Sequence, residues 1–160
     1  MTAQEMARKF AEIAATAEAK QLIGETVVGR VVEASVKRTY GDASKLRALE
    51  QSTQDERESL GYNPNDPLKR TGDLLEESIH TARAPGLVEV GSSEPVAEYQ
   101  ELGFFNVRAG RFIEPRPAIA IGAADAQPEV ARTVMATVKA IATGDDRQLL
   151  ELAAASAVIS

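Results

Sequence analysis

Helical periodicity at both ends of the chain encloses a middle section broken by Pro and Gly, and this order restricts the fold more than any other feature. Met6, Phe10, Ile13 and Ala17 recur at spacings of four, three and four, which is one face of an α-helix. Val27-Val28, Val31-Val32 and Val36 also step by about four. Their β-branching favours a strand, but paired steps of four predict a second helix or a bent continuation of the first, with Gly24 and Gly29 as weak points. Near the other end, Val130, Val134, Val138 and Ile141 form a stripe. Asp125 is placed to cap that helix, Pro128 fits its first turn, and Gly144 is placed to end it. A last short helix is expected over residues 146–155.

The middle reads differently. Residues 41–61 hold few large apolar side chains among many charges, so a short solvated helix starting after Asp42 or Ser44, or a loop, is expected there. Pro64 and Pro67 make residues 62–67 turn-rich. Thr71 is a good N-cap for a helix whose first turns carry Asp73, Glu76 and Glu77, with Leu74, Leu75, Ser78 and Ile79 on the buried side. Ala84-Pro85-Gly86 is a turn signal between residues 79–83 and 87–90, which predicts a β-hairpin. Residues 94–102 suit a short helix with Val96, Tyr99 and Leu102 at a spacing of three. Residues 104–113 read as an extended arm or second hairpin bending near Ala109-Gly110, and Ala118–Ile121 as a short strand. The whole predicts an α+β fold: an N-terminal helix or helices, one small antiparallel or mixed sheet with hairpins, and a C-terminal amphipathic helix packed on the sheet. Its 160 residues fit a single domain over 1–160, with 41–61 as an inserted loop or short helix and 145–160 as a C-terminal extension.

The 18 basic and 24 acidic residues give a net charge of −6, which argues against a body that grips nucleic acid phosphates unaided. The absence of Cys excludes disulfides, thiolate zinc sites and Cys nucleophiles. The lone His80 leaves no partner for a Ser or Thr nucleophile and reads as a partly buried strand or helix-end residue. Glu76-Glu77 and Asp145-Asp146 are adjacent on helical segments and point apart, so neither pair makes an acid/base dyad. No cofactor, metal site or catalytic residue is expected. Arg108, Arg111 and Arg116 cluster with Phe104, Phe105 and Phe112 interleaved. That is either a small nucleic-acid patch or an edge that docks on an acidic partner, and the acidic balance of the rest of the chain favours the second. Arg8 and Lys9 are followed by Glu12 and Glu18 rather than a secretory apolar core, and the longest uncharged run, residues 152–160, is far short of the ~20 residues of a membrane helix. A soluble protein made in a cytoplasm, with no membrane partner, is expected.

Three pieces in a fixed order then resemble a known family. The first is Arg70-Thr71-Gly72-Asp73-Leu74 leading to Ser78-Ile79. The second is a strand ending at Gly91, followed by Ala97-Glu98-Tyr99 and Glu101-Leu102-Gly103. The third is Pro115-Arg116-Pro117 before a C-terminal amphipathic helix. This set, over about residues 68–141, resembles the head–tail joining (neck or tail-completion) proteins of tailed bacteriophages and the virion morphogenesis proteins of contractile-tailed phages. The same pattern serves gene transfer agents. The family's Tyr-Ala order is reversed at Ala97-Glu98-Tyr99, and Ala118 stands where a Phe often follows the Pro-Arg-Pro.

The resemblance implies a non-catalytic virion protein. It implies a homo-oligomeric ring, commonly a hexamer, between a connector or adaptor and the tail tube or tail terminator, with DNA passing through the lumen without specific binding. It implies structural roles for Thr71, Gly72, Leu74, Ser78, Ile79, Gly91, Tyr99, Gly103, Pro115, Arg116 and Pro117. Phe104, Phe105, Arg108, Arg111 and Phe112 are then the expected subunit or partner contacts. The competing expectations are a non-virion assembly factor or regulatory binding module of a phage operon and, third, a small metal-dependent hydrolase.

Overall fold

Ala and other good helix formers dominate the first forty residues, and Gly24 and Gly29 each cost only about 1 kcal/mol relative to Ala in a helix. The computed structural model, which describes residues 3–68 and 78–158 and side chains from residue 15, accordingly shows one helix, α1, over Ala3–Gly41. Of the two expected alternatives, the second helix does not occur, and the Val-rich segment continues the first helix through Gly24 and Gly29. Asp42 then accepts hydrogen bonds from the Ser44 amide (3.1 Å) and hydroxyl (2.6 Å), capping a 3₁₀ turn at Ala43–Lys45. Helix α2, Gln51–Ser59, buries no residue, as its charged sequence requires. Thr71, Gly72, Leu74 and the helix expected around them lie outside the described residues.

The first hairpin pairs β1 (Ile79–Ala84) with β2 (Leu87–Ser92) across Pro85-Gly86. Gly86 has φ +77°, and Pro followed by a left-handed Gly is the pattern of a type II turn. Helix α3 spans Pro95–Leu102. The second hairpin joins β3 (Phe104–Asn106) to β4 (Arg111–Ile113). Helices α4 (Ala118–Thr143) and α5 (Arg147–Ala157) complete the fold. The chain is α+β, but the expected single sheet is two separate two-stranded antiparallel sheets. Residues 118–121 are helical, not a strand. Asp125 and Pro128 lie inside α4 rather than at its start. The reason is a cap supplied from elsewhere in the chain. The Glu101 carboxylate accepts from the amides of Ile119 (2.7 Å) and Ala120 (3.2 Å), satisfying donors that a local cap would otherwise have to meet.

The described contacts resolve into two compact units. One comprises residues 1–31, 82–89 and 127–160, the other 32–81 and 90–126. In the first, Ala136, Ala140 and Leu149 form the core, with Ile23 and Leu152 packed against it. Gly24 faces Thr137 so closely that a Cβ there would lie 2.2 Å from the Thr137 hydroxyl oxygen. Lys20 Nζ donates to the Ala140 carbonyl at 2.8 Å. The expected apolar stripe of α4 is out of phase with this packing. Thr133, Ala136 and Ala140 are buried, whereas Val134, Val138 and Ile141 are exposed. Small residues let α4 approach its neighbours closely, and the large ones are left on the other face.

In the second unit, Val36, Tyr40, Leu46, Leu68, Ile79 and Ala118 form the core, with Val32, Val90, Ile119 and Ile121 against it. The start of α4, expected as a strand, thus packs beside the ends of β1 and β2. Glu33 accepts from Lys37 Nζ (2.7 Å) and the Thr81 hydroxyl (2.6 Å). Burial opposes its charge, but these hydrogen bonds and the positive charge of Lys37 hold its carboxyl below the usual value.

Tyr40 is fully buried, and its hydroxyl has no hydrogen-bond partner among the described residues. Burial, and then the negative Glu101 nearby, push its ionisation up to about 12. A raised folded-state value means that stability is complete below pH ~10 and is lost as pH rises between ~10 and 12, because the unfolded phenol ionises first. Tyr40→Phe is therefore expected to be neutral or stabilising by about 1 kcal/mol at pH 7, and to flatten the alkaline limb of a thermal-midpoint profile. A clear loss of stability at pH 7 would show instead that the hydroxyl is satisfied in solution.

Candidate functional site

Alternation along the second hairpin decides which side chains act together. Phe105 lies opposite Phe112, while Phe104 lies opposite Ile113 and Asn106 opposite Arg111. Directly paired residues share a face of the sheet, and residues two apart do also. Phe105 and Phe112 thus form one exposed aromatic pair, while Phe104, Asn106, Arg111 and Ile113 take the other face. The turn between the strands is shaped by the Asn106 side chain, which accepts from the Ala109 amide at 3.0 Å, and by Gly110 at φ +65°. Val107 at the turn is 85% exposed, and Leu102 just before the hairpin is also exposed. Tyr99 on α3 is half exposed, with its ring centroid 5.7 Å from that of Phe104 at a tilt of 54°.

Gly103 connects α3 to β3 at φ +73°, and a Cβ there would lie 2.6 Å from the Ile113 carbonyl oxygen and 2.7 Å from the Phe112 ring. Only Gly fits, which gives this motif residue a physical reason. Gly91 has no such reason, since nothing stands within 4 Å of the Cβ it lacks. Ser78 is buried, with its carbonyl accepting from the Ser93 amide, and Ile79 belongs to the core. His80 is a strand residue, but it is exposed rather than partly buried, with Nδ1 3.1 Å from the Ser78 carbonyl.

Arg116, between Pro115 and Pro117, is only 8% exposed. Its amide donates to the Gln100 carbonyl, its Nε to the Arg47 carbonyl (2.8 Å) and its Nη2 to the Ala48 carbonyl (3.2 Å). It thereby fastens the segment leading into α4 to the chain ahead of α2. Three more arginines gather in the same unit. Arg111 pairs with Glu50, and Arg47 lies 3.6 Å from Glu114. Arg57 donates to the carbonyls of Asn63, Asp66 and Pro67. All four guanidinium-bearing side chains line one hollow of about 340 Å³, with Phe104, Gln100 and Asn106 among its walls. Burial, and the like charges of Arg47 and Arg57, pull the Arg116 guanidinium below its usual value, partly offset by Glu50.

Of the arginines singled out in the sequence, Arg111 and Arg116 meet at this hollow. Arg108 sits exposed in the hairpin turn and does not line it. Arg47 and Arg57 carried no signal, because their place at the hollow depends on contacts that no local spacing encodes. In the other unit, Val134, Val138 and Ile141 give α4 a second exposed apolar face. Among the described residues no group of three or more His, Asp or Glu is placed to hold a metal ion, and no helix is long and apolar enough to cross a membrane. Compared with protein-family models, with curated proteins and with solved structures, the chain matches none.

Proposed function

We propose that this chain is a structural assembly protein that acts by docking on its neighbours without catalysis, and that its place is the head–tail junction of a tailed phage or phage-like particle. The observation that carries the docking part is the exposed face of the second hairpin, where Phe105 and Phe112 stand side by side with Val107 and Leu102 also exposed. Contiguous exposed apolar surface of this kind marks interaction surfaces in proteins that otherwise stay soluble. Each phenyl ring contributes about 1–2 kcal/mol when its exposed part is covered. A closed ring needs two different surfaces on every subunit, one to give and one to receive. Each unit here offers one: the hairpin face in one, and the Val134, Val138 and Ile141 face of α4 in the other.

The junction itself is supported by the ordered sequence resemblance. The acidic balance suits the role. Six copies at −6 each would bring a formal charge of −36 to the ring. An acidic lumen repels passing DNA within the Debye length of ~8 Å at physiological salt, where a basic one would hold it by phosphate contacts. Connector, tail tube and tail terminator are the partners in this reading. The test is to purify intact particles from the native host and image the junction with the protein carrying an internal label. A ring of labelled density between connector and tail is expected. Particles that join normally and contain none of the protein overturn the assignment.

A further inference from the structure

We propose that the arginine-lined hollow is a binding site for a dianionic phosphate group, free or carried as a monoester on a small molecule. The proposal does not rest on the junction role. Among the described residues, Arg47, Arg57, Arg111 and Arg116 face the hollow against two carboxylates, Glu50 and Glu114, a local surplus of two positive charges in a chain whose net charge is −6. Arg47 and Arg111 have those carboxylates as partners. Among the described residues Arg57 and Arg116 form no ion pair and bond only to backbone carbonyls.

Arg116 is the decisive group. It is more than nine-tenths buried, it lines the hollow, and its Nη1 makes no hydrogen bond to any described residue. Burying a guanidinium beside two others is costly unless an anion answers it. Guanidinium forks match phosphate oxygens in pairs, and a phosphate monoester carries about −1.5 to −2 at pH 7, which meets the surplus where a single carboxylate would leave half of it. The hollow, about 340 Å³, falls at the lower end of the ~300–1,000 Å³ range of small-molecule sites. Phe104 and Leu49 in its walls lower the local dielectric and strengthen the attraction. A nucleic acid strand would need cations spread along its backbone, whereas these converge on one point.

The test is calorimetric titration of the full chain with inorganic phosphate at ionic strength held constant with chloride, repeated with adenosine monophosphate. Saturable binding of one anion per chain is expected. Monoester binding at least tenfold tighter than that of phosphate assigns the esterified ligand, and equal or weaker binding assigns free phosphate. Arg111→Gln, at an exposed position, is expected to weaken binding by about tenfold or more. Glu50→Gln, which releases Arg111 and raises the surplus, is expected to tighten it. This gain cannot come from a damaged fold. No saturable binding, or binding indifferent to both substitutions, overturns the proposal. So does duplex DNA that binds tighter than phosphate with a steep salt dependence, which would assign the surface to nucleic acid.

Discussion

Gly122→Ala is expected to destabilise the protein by about 2 kcal/mol, although alanine is the better helix former by about 1 kcal/mol. The added methyl would lie 2.6 Å from the Val36 Cα, 2.9 Å from the Val36 nitrogen and 3.1 Å from the Ser35 carbonyl oxygen. These are backbone atoms of α1, so no side-chain rotation relieves the clash. The two helices must move apart, and Val36, Tyr40 and Ala118, which share the core at this point, lose contact together. Overpacking of this kind costs about 1–3 kcal/mol or more, which exceeds the gain in propensity. At about 2–4 °C per kcal/mol for a chain of this size, the thermal midpoint should fall by roughly 4–8 °C.

Two comparisons isolate the cause. Gly41→Ala, with nothing within 4 Å of the new Cβ, should leave the midpoint within about 1 °C. Gly24→Ala meets a Thr137 side chain instead of backbone. That side chain can turn, but only by giving up its 2.9 Å hydrogen bond to the Thr133 carbonyl, so an intermediate loss is expected. A Gly122→Ala protein as stable as the parent would mean that α1 and α4 do not approach each other there in solution.

The same pair of residues shows what a sequence can and cannot reveal. Local signals located the local elements. Pro85-Gly86 marked the first hairpin, Ala109-Gly110 the bend of the second, and Gly144 the end of α4, where it adopts φ +76° and donates to the Ala140 carbonyl. The failures share one origin, which is that a distant segment supplied the deciding term. Gly24 and Gly29 read as breaks, yet at Gly24 the missing Cβ is what admits Thr137. Local sequence points to Asp125 as the start of α4, because the cap that allows it to begin at Ala118 comes from Glu101, on α3.

The stripe of Val134, Val138 and Ile141 has perfect helical spacing, and spacing says that these residues share a face. It does not say that the face is covered within one chain. Periodicity alone marks an exposed apolar face as readily as a buried one. The arginine hollow was half legible. Arg111 and Arg116 were visible as a cluster beside the aromatic residues, and the arrival of Arg47 and Arg57 was not.

The second large effect follows from the exposed aromatic pair. Phe105→Ser with Phe112→Ser is expected to leave a folded protein and abolish the joining of heads to tails. Both residues are more than half exposed, so their loss leaves the monomer folded, with a thermal midpoint lower by about 3–10 °C. Covered by a neighbour, the exposed parts of the same two rings contribute about 2–3 kcal/mol to each contact. That is roughly 10–10² in the association constant per interface, and a closed ring multiplies the loss in free energy by its number of interfaces. Particle assays should therefore show full heads and separate tails accumulating, with infectious or transfer-competent particles reduced by several orders of magnitude. Val134→Ser with Val138→Ser probes the second face independently and should give the same block with the hairpin intact. A folded Phe105→Ser, Phe112→Ser protein that supports normal particle yield removes the hairpin as the docking surface. Block by the α4 pair alone would then place the contact on the other unit.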